Sequence, residues 1–269
     1  MSGALVVCPT PIGNLADVTL RVLDALRTAD AAACEDTRHS QTLLRRHGIS
    51  LPLISLTEHN EAARIPGLVE RVSAGERIGL LSDAGMPAVS DPGSRLISAV
   101  LEAGLTVEVL PGPSAVTAAL VASGMARGGF VFAGFLPKSP AAIGRLLDRL
   151  DAPGLPVVAF ESPRRLPATL AALAERDPSR PLAVCRELTK LHEEVVRGMA
   201  AEVAARFPEP PRGEITLVLG GVEARPAPIE DAVLRELADA VGARRAAGIA
   251  SSLSGHPRNA IYRRLTGGQ

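Results

Sequence analysis

A chain of 269 residues with 46% apolar content has material for one large domain or two of ordinary size, each with a real core. Its 29 basic residues balance 29 acidic ones, which excludes a molecule-wide attraction to nucleic acid or to an acidic membrane, so any polyanion site must be local. The apolar stretches are strand-sized and broken by charges, and no basic region followed by an apolar run opens the chain, so neither a signal peptide nor a membrane span is expected and the location is expected to be cytoplasmic.

Ala4 to Cys8 is the first predicted strand, and Asp17 is placed to cap a helix running to about Thr28, with Leu20, Leu23 and Leu26 along one face. Ala31 to Cys34 is the next strand. A helix from about Thr37 ends at Gly48 and another from near Glu61 ends at Gly75, each glycine suited to the left-handed position after a helix. The strand Ile78 to Leu81 precedes a helix from about Gly93 to Gly104, and Thr106 to Leu110 follows as a strand. This alternation predicts an open, mainly parallel sheet flanked by helices, over residues 1–115.

Ser114 to Gly124 reads as a connecting helix. A second α/β series, over residues 116–222, then runs through FVFAGF, LPVVAF, PLAVC, EEVVRG and EITLVLGG. Its last strands have only one short helical run between them, which predicts a partly antiparallel sheet and a ligand cleft between the two domains. Residues 223–269 differ: RPAP reads as a linker, followed by three short helical patterns and no strand. From Gly242 onward this segment carries Arg244, Arg245, Arg258, Arg263 and Arg264 and no acid, so it is either a solvated tail or a small nucleic-acid-binding appendage.

Three strands run straight into loops rich in proline, glycine and polar residues: VVCPTPIGN, GLLSDAGMPAVSDPG and VEVLPGPSA. Such loops expose backbone groups at the carboxyl ends of parallel strands, where α/β sheets bind small ligands. None contains the G-x-G-x-x-G of a dinucleotide fold or the G-x-x-x-x-G-K-[ST] of a phosphate loop, so the cofactor is expected to be bound another way. Cys8, Cys34 and Cys185 sit in or beside strand-like runs and read as core thiols, and no cluster has metal-ligand spacing, so no metal is expected.

PTPIGNLADVTLR, EDTRHSQTLL, SDAGMPAVSDPG, PGPSA, GFLP, ESPRR, RELTK and RGEITLV, in this order and spacing, closely resemble the bacterial ribosomal RNA small subunit methyltransferase I family. That family belongs to the tetrapyrrole-methylase-like, class III methyltransferases. The resemblance is strong over about Ala4 to Val222 and looser beyond. It implies two α/β domains of the tetrapyrrole-methylase type with an S-adenosylmethionine cleft between them, plus the small C-terminal helical segment. The implied reaction is methylation of the ribose 2′-hydroxyl of a cytidine in the decoding region of 16S ribosomal RNA, by a homodimer.

By the same resemblance the donor contacts are Pro11 in the first loop, Asp83, Ala84 and Met86 in the second, and Ser114 and Ala115 in the third. Phe160, Leu188 and the turn of Gly213, Glu214 and Ile215 would close over the donor from the second domain. EDTRHS and TEHN match the RNA-modifying family, and both follow strands on the same sheet edge. Arg38, His39, Asn60 and Arg164, together with Arg244, Arg245, Arg258, Arg263 and Arg264, are therefore candidate RNA contacts, while Asp36 could instead cap the following helix.

Methyl transfer from a sulfonium requires alignment and loss of the hydroxyl proton, for which Glu161, Asp36 and His59 are candidate bases, with Lys190 and Arg38 as possible stabilisers of developing charge. Two positions depart from the family pattern: Arg164 replaces a common histidine and Met86 a common threonine. The alternatives are a corrinoid or porphyrin methyltransferase on the same fold, and a non-catalytic ribosome-assembly protein.

Overall fold

The computed structural model describes residues 3–151, 153–222 and 229–266; the expected RPAP linker at 225–228 lies outside the described residues. The first sheet comprises β1 (Ala4–Cys8), β2 (Ala31–Cys34), β3 (Leu53–Ser55), β4 (Arg77–Leu81) and β5 (Thr106–Val109). Its order is β3-β2-β4-β1-β5, parallel throughout.

Because side chains alternate along a strand, β1 feeds two separate cores. Val6 and Cys8 pack on one face with Leu26 of α1 (Leu20–Thr28) and Leu44 of α2 (Thr37–Arg46). Leu5 and Val7 pack on the other with Leu68 of α3 (Glu61–Ser73) and Leu96 of α4 (Ser94–Glu102). This two-sided burial explains why ALVVC and AAAC are continuous apolar runs.

Helix ends follow the expected chemistry with one correction. Asp17 does not cap α1: it closes a 3-10 turn at Leu15–Asp17, and Thr19 is the cap, its hydroxyl accepting from the Val22 amide at 3.2 Å. Asn14 caps the short turn by accepting from the Ala16 amide at 3.0 Å, so three cap-type residues divide two helical turns where a single helix start is expected.

The second sheet comprises β6 (Val131–Phe135), β7 (Val157–Glu161), β8 (Pro181–Arg186), β9 (Glu194–Met199) and β10 (Ile215–Leu219), in the order β6-β7-β10-β8-β9. Only β6 and β7 are parallel; the other pairs are antiparallel. The connecting helix α5 (Ala115–Ser123) covers one face, placing Val116, Ala119 and Leu120 against Val158, Ala183 and Val218. On the other face Leu147 of α6 (Pro140–Leu150), Leu170 of α7 (Leu166–Arg176) and Val203 of α8 (Ala200–Arg206) pack on Leu182, Val184 and Leu217.

The last helices, α9 (Asp231–Val241), α10 (Ala243–Ser254) and α11 (Arg258–Thr266), enclose a small core of Leu234, Ala247, Ala250 and Ile261. Cys8, Cys34 and Cys185 are all buried, as expected of core thiols. No helix among the described residues is long and apolar enough to cross a membrane.

Candidate active site

In the first sheet β1 lies beside β4, and the chain leaves them in opposite directions, to β2 on one side and to β5 on the other. A crevice opens at the carboxyl ends of strands at such a reversal. The loops that follow are locked to each other: the Thr10 and Gly85 backbones exchange hydrogen bonds at 2.9 and 3.0 Å. Thr10 Oγ1 also donates to the Ser82 carbonyl at 3.0 Å, and Ser82 Oγ donates to the Gly85 carbonyl at 3.0 Å. The proline- and glycine-rich sequence is thereby a fixed rim.

Between this rim and the second sheet lies a cavity of about 320 Å³. Ala84, Met86, Ser114 and Ala115 line it from the first loops, and Phe160, Leu188 and the Gly213–Ile215 turn line it from the second sheet. These residues, far apart in the chain, are brought together as the donor reading expects. Ser114 precedes α5 without capping it through its side chain, so the first turn of that helix is turned to the cavity.

Pro11 and Asp83 are placed differently. Both line a separate pocket of about 100 Å³ beside His39. The Asp83 carboxylate accepts the Asp36 amide at 3.1 Å, tying the loop after β2 to the loop after β4, and Ile12 rather than Pro11 reaches the main cavity.

Sequence reasoning missed Phe135, Cys185 and Asp91 in the cavity wall. Phe160 stands between Phe132 and Phe135, with ring centroids 5.1 and 5.5 Å away. Aromatic faces at the end of β6 and β7, the Leu188 side chain and a volume in the range of about 300–1,000 Å³ usual for such sites suit a flat heterocycle with a flexible tail. The residues present thus fit an adenosyl donor.

The candidate bases separate on geometry. Glu161 is 2% exposed and its carboxylate is fully engaged: Oε1 accepts from Arg165 Nε at 2.8 Å and from the Ser162 amide at 2.5 Å, and Oε2 accepts from Thr169 Oγ1 at 2.6 Å. A carboxylate so satisfied is a structural anchor rather than a free proton acceptor. Asp36 caps α2 and pairs with Arg38, whose side-chain hydrogen bond, followed by the Arg38 amide, holds the carboxyl down at about 2. That proton affinity is too low for a base at neutral pH.

His59 is exposed and does not line the cavity. Lys190 donates to Glu187 and Glu214, each at 2.8 Å. Partial burial works to lower its pKa, but its hydrogen bonds to Glu187 and Glu214 together hold it above the ordinary lysine value, so it is a fixed cation at the cavity edge. Asp91 is the remaining acid in the wall. Burial first, then the Glu35 and Asp83 charges, push it up to about 7, against a hydrogen bond with Ser82.

Arg38 and His39, after β2, and Arg164, after β7, are exposed. Asn60 is not available: its Oδ1 accepts from the Thr57 amide at 2.8 Å and its Nδ2 donates to the Ser55 carbonyl at 3.3 Å, shaping the turn before α3. In the C-terminal helices Arg264 pairs with Asp231, while Arg245 and Arg258 flank a shallow groove with Ile249 and Leu253. Arg244 and Arg263 make no ion pair among the described residues.

Residues 4–204 match the profile of the tetrapyrrole (corrin/porphyrin) methylases, and residues 224–267 match that of the RsmI C-terminal HTH domain. A ribosomal RNA small subunit methyltransferase I from Mesorhizobium japonicum is 44% identical over 97% of this chain and 91% of its own. Its counterpart from Thermotoga maritima is 42% identical, over 82% of this chain and all of its own. Among solved structures, uroporphyrin-III-C-methyltransferase from Thermus thermophilus superposes with a TM-score of 0.55 at 22% identity, over 81% of this chain and 94% of that one, a likeness of fold.

Proposed function

The chain belongs to the ribosomal RNA small subunit methyltransferase I family, and from that premise we propose that it uses S-adenosylmethionine to methylate the ribose 2′-hydroxyl of a cytidine in the decoding region of 16S ribosomal RNA. The observation that carries this reading is the convergence of Ala84, Met86, Ser114, Phe160, Leu188 and Ile215 on one cavity at the strand ends. When bound there, the donor would supply an electrophilic methyl group on a sulfonium, whose leaving thioether needs no further activation.

The task left to the protein is to align the acceptor oxygen with that methyl group and to exclude water. Phe160 and Leu188 supply apolar walls for the adenosyl part, and the first turn of α5 offers a positive helix end toward the carboxylate of the amino-acid tail. Arg38, His39 and Arg164 stand outside the cavity, where phosphates flanking the target would run.

We assign residues 1–115 and 116–222 as the two domains that share the donor, and 223–269 as an RNA-binding segment. The C-terminal match to a helix-turn-helix profile and the exposed Arg244, Arg245, Arg258 and Arg263 support that assignment. Family membership supports a homodimer acting in the cytoplasm, which sedimentation of the purified protein would check. Incubation with labelled S-adenosylmethionine and purified small ribosomal subunits tests the function: label in 16S RNA is expected. Label entering only a porphyrin or corrin acceptor would transfer the chain to small-molecule chemistry, and donor binding with no transfer would leave a ribosome-assembly protein.

A further inference from the structure

Glu187 lies in the loop after β8, immediately before Leu188 of the cavity wall, and does not itself line the cavity. Its φ is 53° and that of Thr189 is 67°, left-handed values that residues with a side chain keep only where the surroundings impose them. Thr189 is held through its amide, which donates to the Glu193 carboxylate at 2.6 Å. Glu187 is held by the turn at Gly213–Ile215, which leads into β10 and lines the cavity.

Arg186 pairs with Ile215 at the end of the β8–β10 ladder, and Glu187 meets Glu214 one step beyond. There the Glu187 amide still donates to the Glu214 carbonyl, at 3.0 Å, as an antiparallel pair requires. The returning bond is not made to the Glu187 carbonyl, which accepts the Lys190 amide at 3.0 Å instead. The Glu214 amide donates to Glu187 Oε1 at 2.9 Å. A side-chain carboxylate thus stands in for a backbone carbonyl, and the turn hangs from it.

The neighbours fit this arrangement. Lys190 Nζ donates to the same Glu187 Oε1 and to Glu214 Oε2, each at 2.8 Å, bracing the carboxylate from the solvent side. The Lys190 bond first, then the Glu214 amide, hold the Glu187 carboxyl below the usual range, so it is ionised at neutral pH. Gly213 adopts φ 99°, and a Cβ there would lie 2.5 Å from Glu187 Oε1 and closer still to its Cγ and Cδ. The carboxylate therefore lies directly against the turn.

We propose that Glu187 is a positioning residue for the methyl donor, its carboxylate setting the Gly213–Ile215 turn against the cavity so that Ile215 and Leu188 keep their places in the wall. The assignment rests on the S-adenosylmethionine reading above and deepens it. Glu187 acts through the turn and takes no part in moving the proton or the methyl group.

The test uses the full chain, with calorimetric S-adenosylmethionine titration and single-turnover transfer to purified small ribosomal subunits at saturating donor, for wild type, Glu187→Ala and Glu187→Gln. Glu187→Ala should weaken donor affinity by about 10–100-fold, the worth of a hydrogen bond to a charged group, while the rate at saturating donor stays within about threefold of wild type. Glu187→Gln keeps an oxygen for the Glu214 amide and should recover most of the affinity. If Glu187→Ala does not fold, Glu187→Asp takes its place under the same limits, because the shorter side chain withdraws the oxygen from that amide and keeps the charge.

Donor affinity within about threefold of wild type in Glu187→Ala would overturn the assignment, as would a loss that Glu187→Gln does not recover or a rate that stays low at saturating donor. A wild-type protein that binds the donor and transfers nothing to small subunits would overturn the RNA reading and leave the affinity comparison to decide the role of Glu187. A wild-type protein that binds no donor would overturn both.

Discussion

The Asn14 amide donates to Thr189 Oγ1 at 3.0 Å, joining the loop after β1 to the loop after β8 across the edge of the donor cavity. The neighbours Ile12 and Leu188 line that cavity from opposite sides. Glu187 and Thr189 hold φ of 53° and 67°, so the second loop is itself constrained where it meets the first. The spacing between the two sheets is therefore set at this contact.

Gly13 is required by that closeness. A Cβ there would lie 2.8 Å from Thr189 Oγ1 and 3.0 Å from the Leu188 carbonyl oxygen, and closer still to the Lys190 stem. Gly13→Ala should wedge the loops apart, costing about 1–3 kcal/mol as other overpacking substitutions do. Thermal unfolding should show the loss of stability, and calorimetric titration a weaker S-adenosylmethionine affinity.

Remote from the cavity, Arg180 and Asp151 form a buried ion pair at 4% and 9% side-chain exposure, with bonds of 2.7 and 3.0 Å, and Arg180 Nε donates to the Gly220 carbonyl at 3.0 Å. Asp151→Ala would strand a buried guanidinium and should destabilise by about 3–5 kcal/mol. Denaturant unfolding measures it. Donor affinity of the protein that remains folded should not change, because neither residue lines the cavity.

Stability should also depend on pH through Asp91. Its folded pKa is raised from 3.8 to about 7, so between these values the folded state binds more proton than the unfolded one. The contribution is therefore full below about pH 4 and lost as pH rises through about 7. Asp91→Asn removes the cost of the buried charge, so at pH 8 the variant should melt at a higher temperature than wild type, and at pH 4 the difference should shrink.

Most of the architecture was legible because β1, β2 and most of β4 are apolar runs and α2, α3 and α4 run into Gly48, Gly75 and Gly104, at φ 64°, 101° and 70°. The cap at Thr19 was misplaced to Asp17 because both residue types cap helices, Asp the more strongly, and only the intervening 3-10 turn distinguishes them. That these strand-end loops line one cavity was legible from their motifs, whereas the division of labour within them was not. Asp83 and Asp91 are both aspartates in one loop, and only folding turns the first toward the Asp36 amide and the second into the cavity. Phe135 and Cys185 reach the cavity from strand ends whose apolar residues read equally well as core.

The arginines of α10 and α11 make a separable prediction. Arg264 is held by Asp231, which leaves the exposed Arg244, Arg245, Arg258 and Arg263 as the candidate phosphate contacts. Replacing these four by glutamine should weaken binding to small-subunit RNA and reduce the slope of log affinity against log salt by about three units if all four contact phosphate, at about 0.7–0.9 per contact. Filter binding at several salt concentrations reads the slope, and S-adenosylmethionine affinity should be unaffected.

Alkaline hydrolysis of 16S RNA methylated by this protein with labelled S-adenosylmethionine tests the central claim most directly. A methyl group on the ribose 2′-oxygen prevents formation of the cyclic phosphate, so the label should survive in an alkali-resistant dinucleotide whose 5′ member is cytidine. Label released in mononucleotides would place the methyl group on a base and contradict the account.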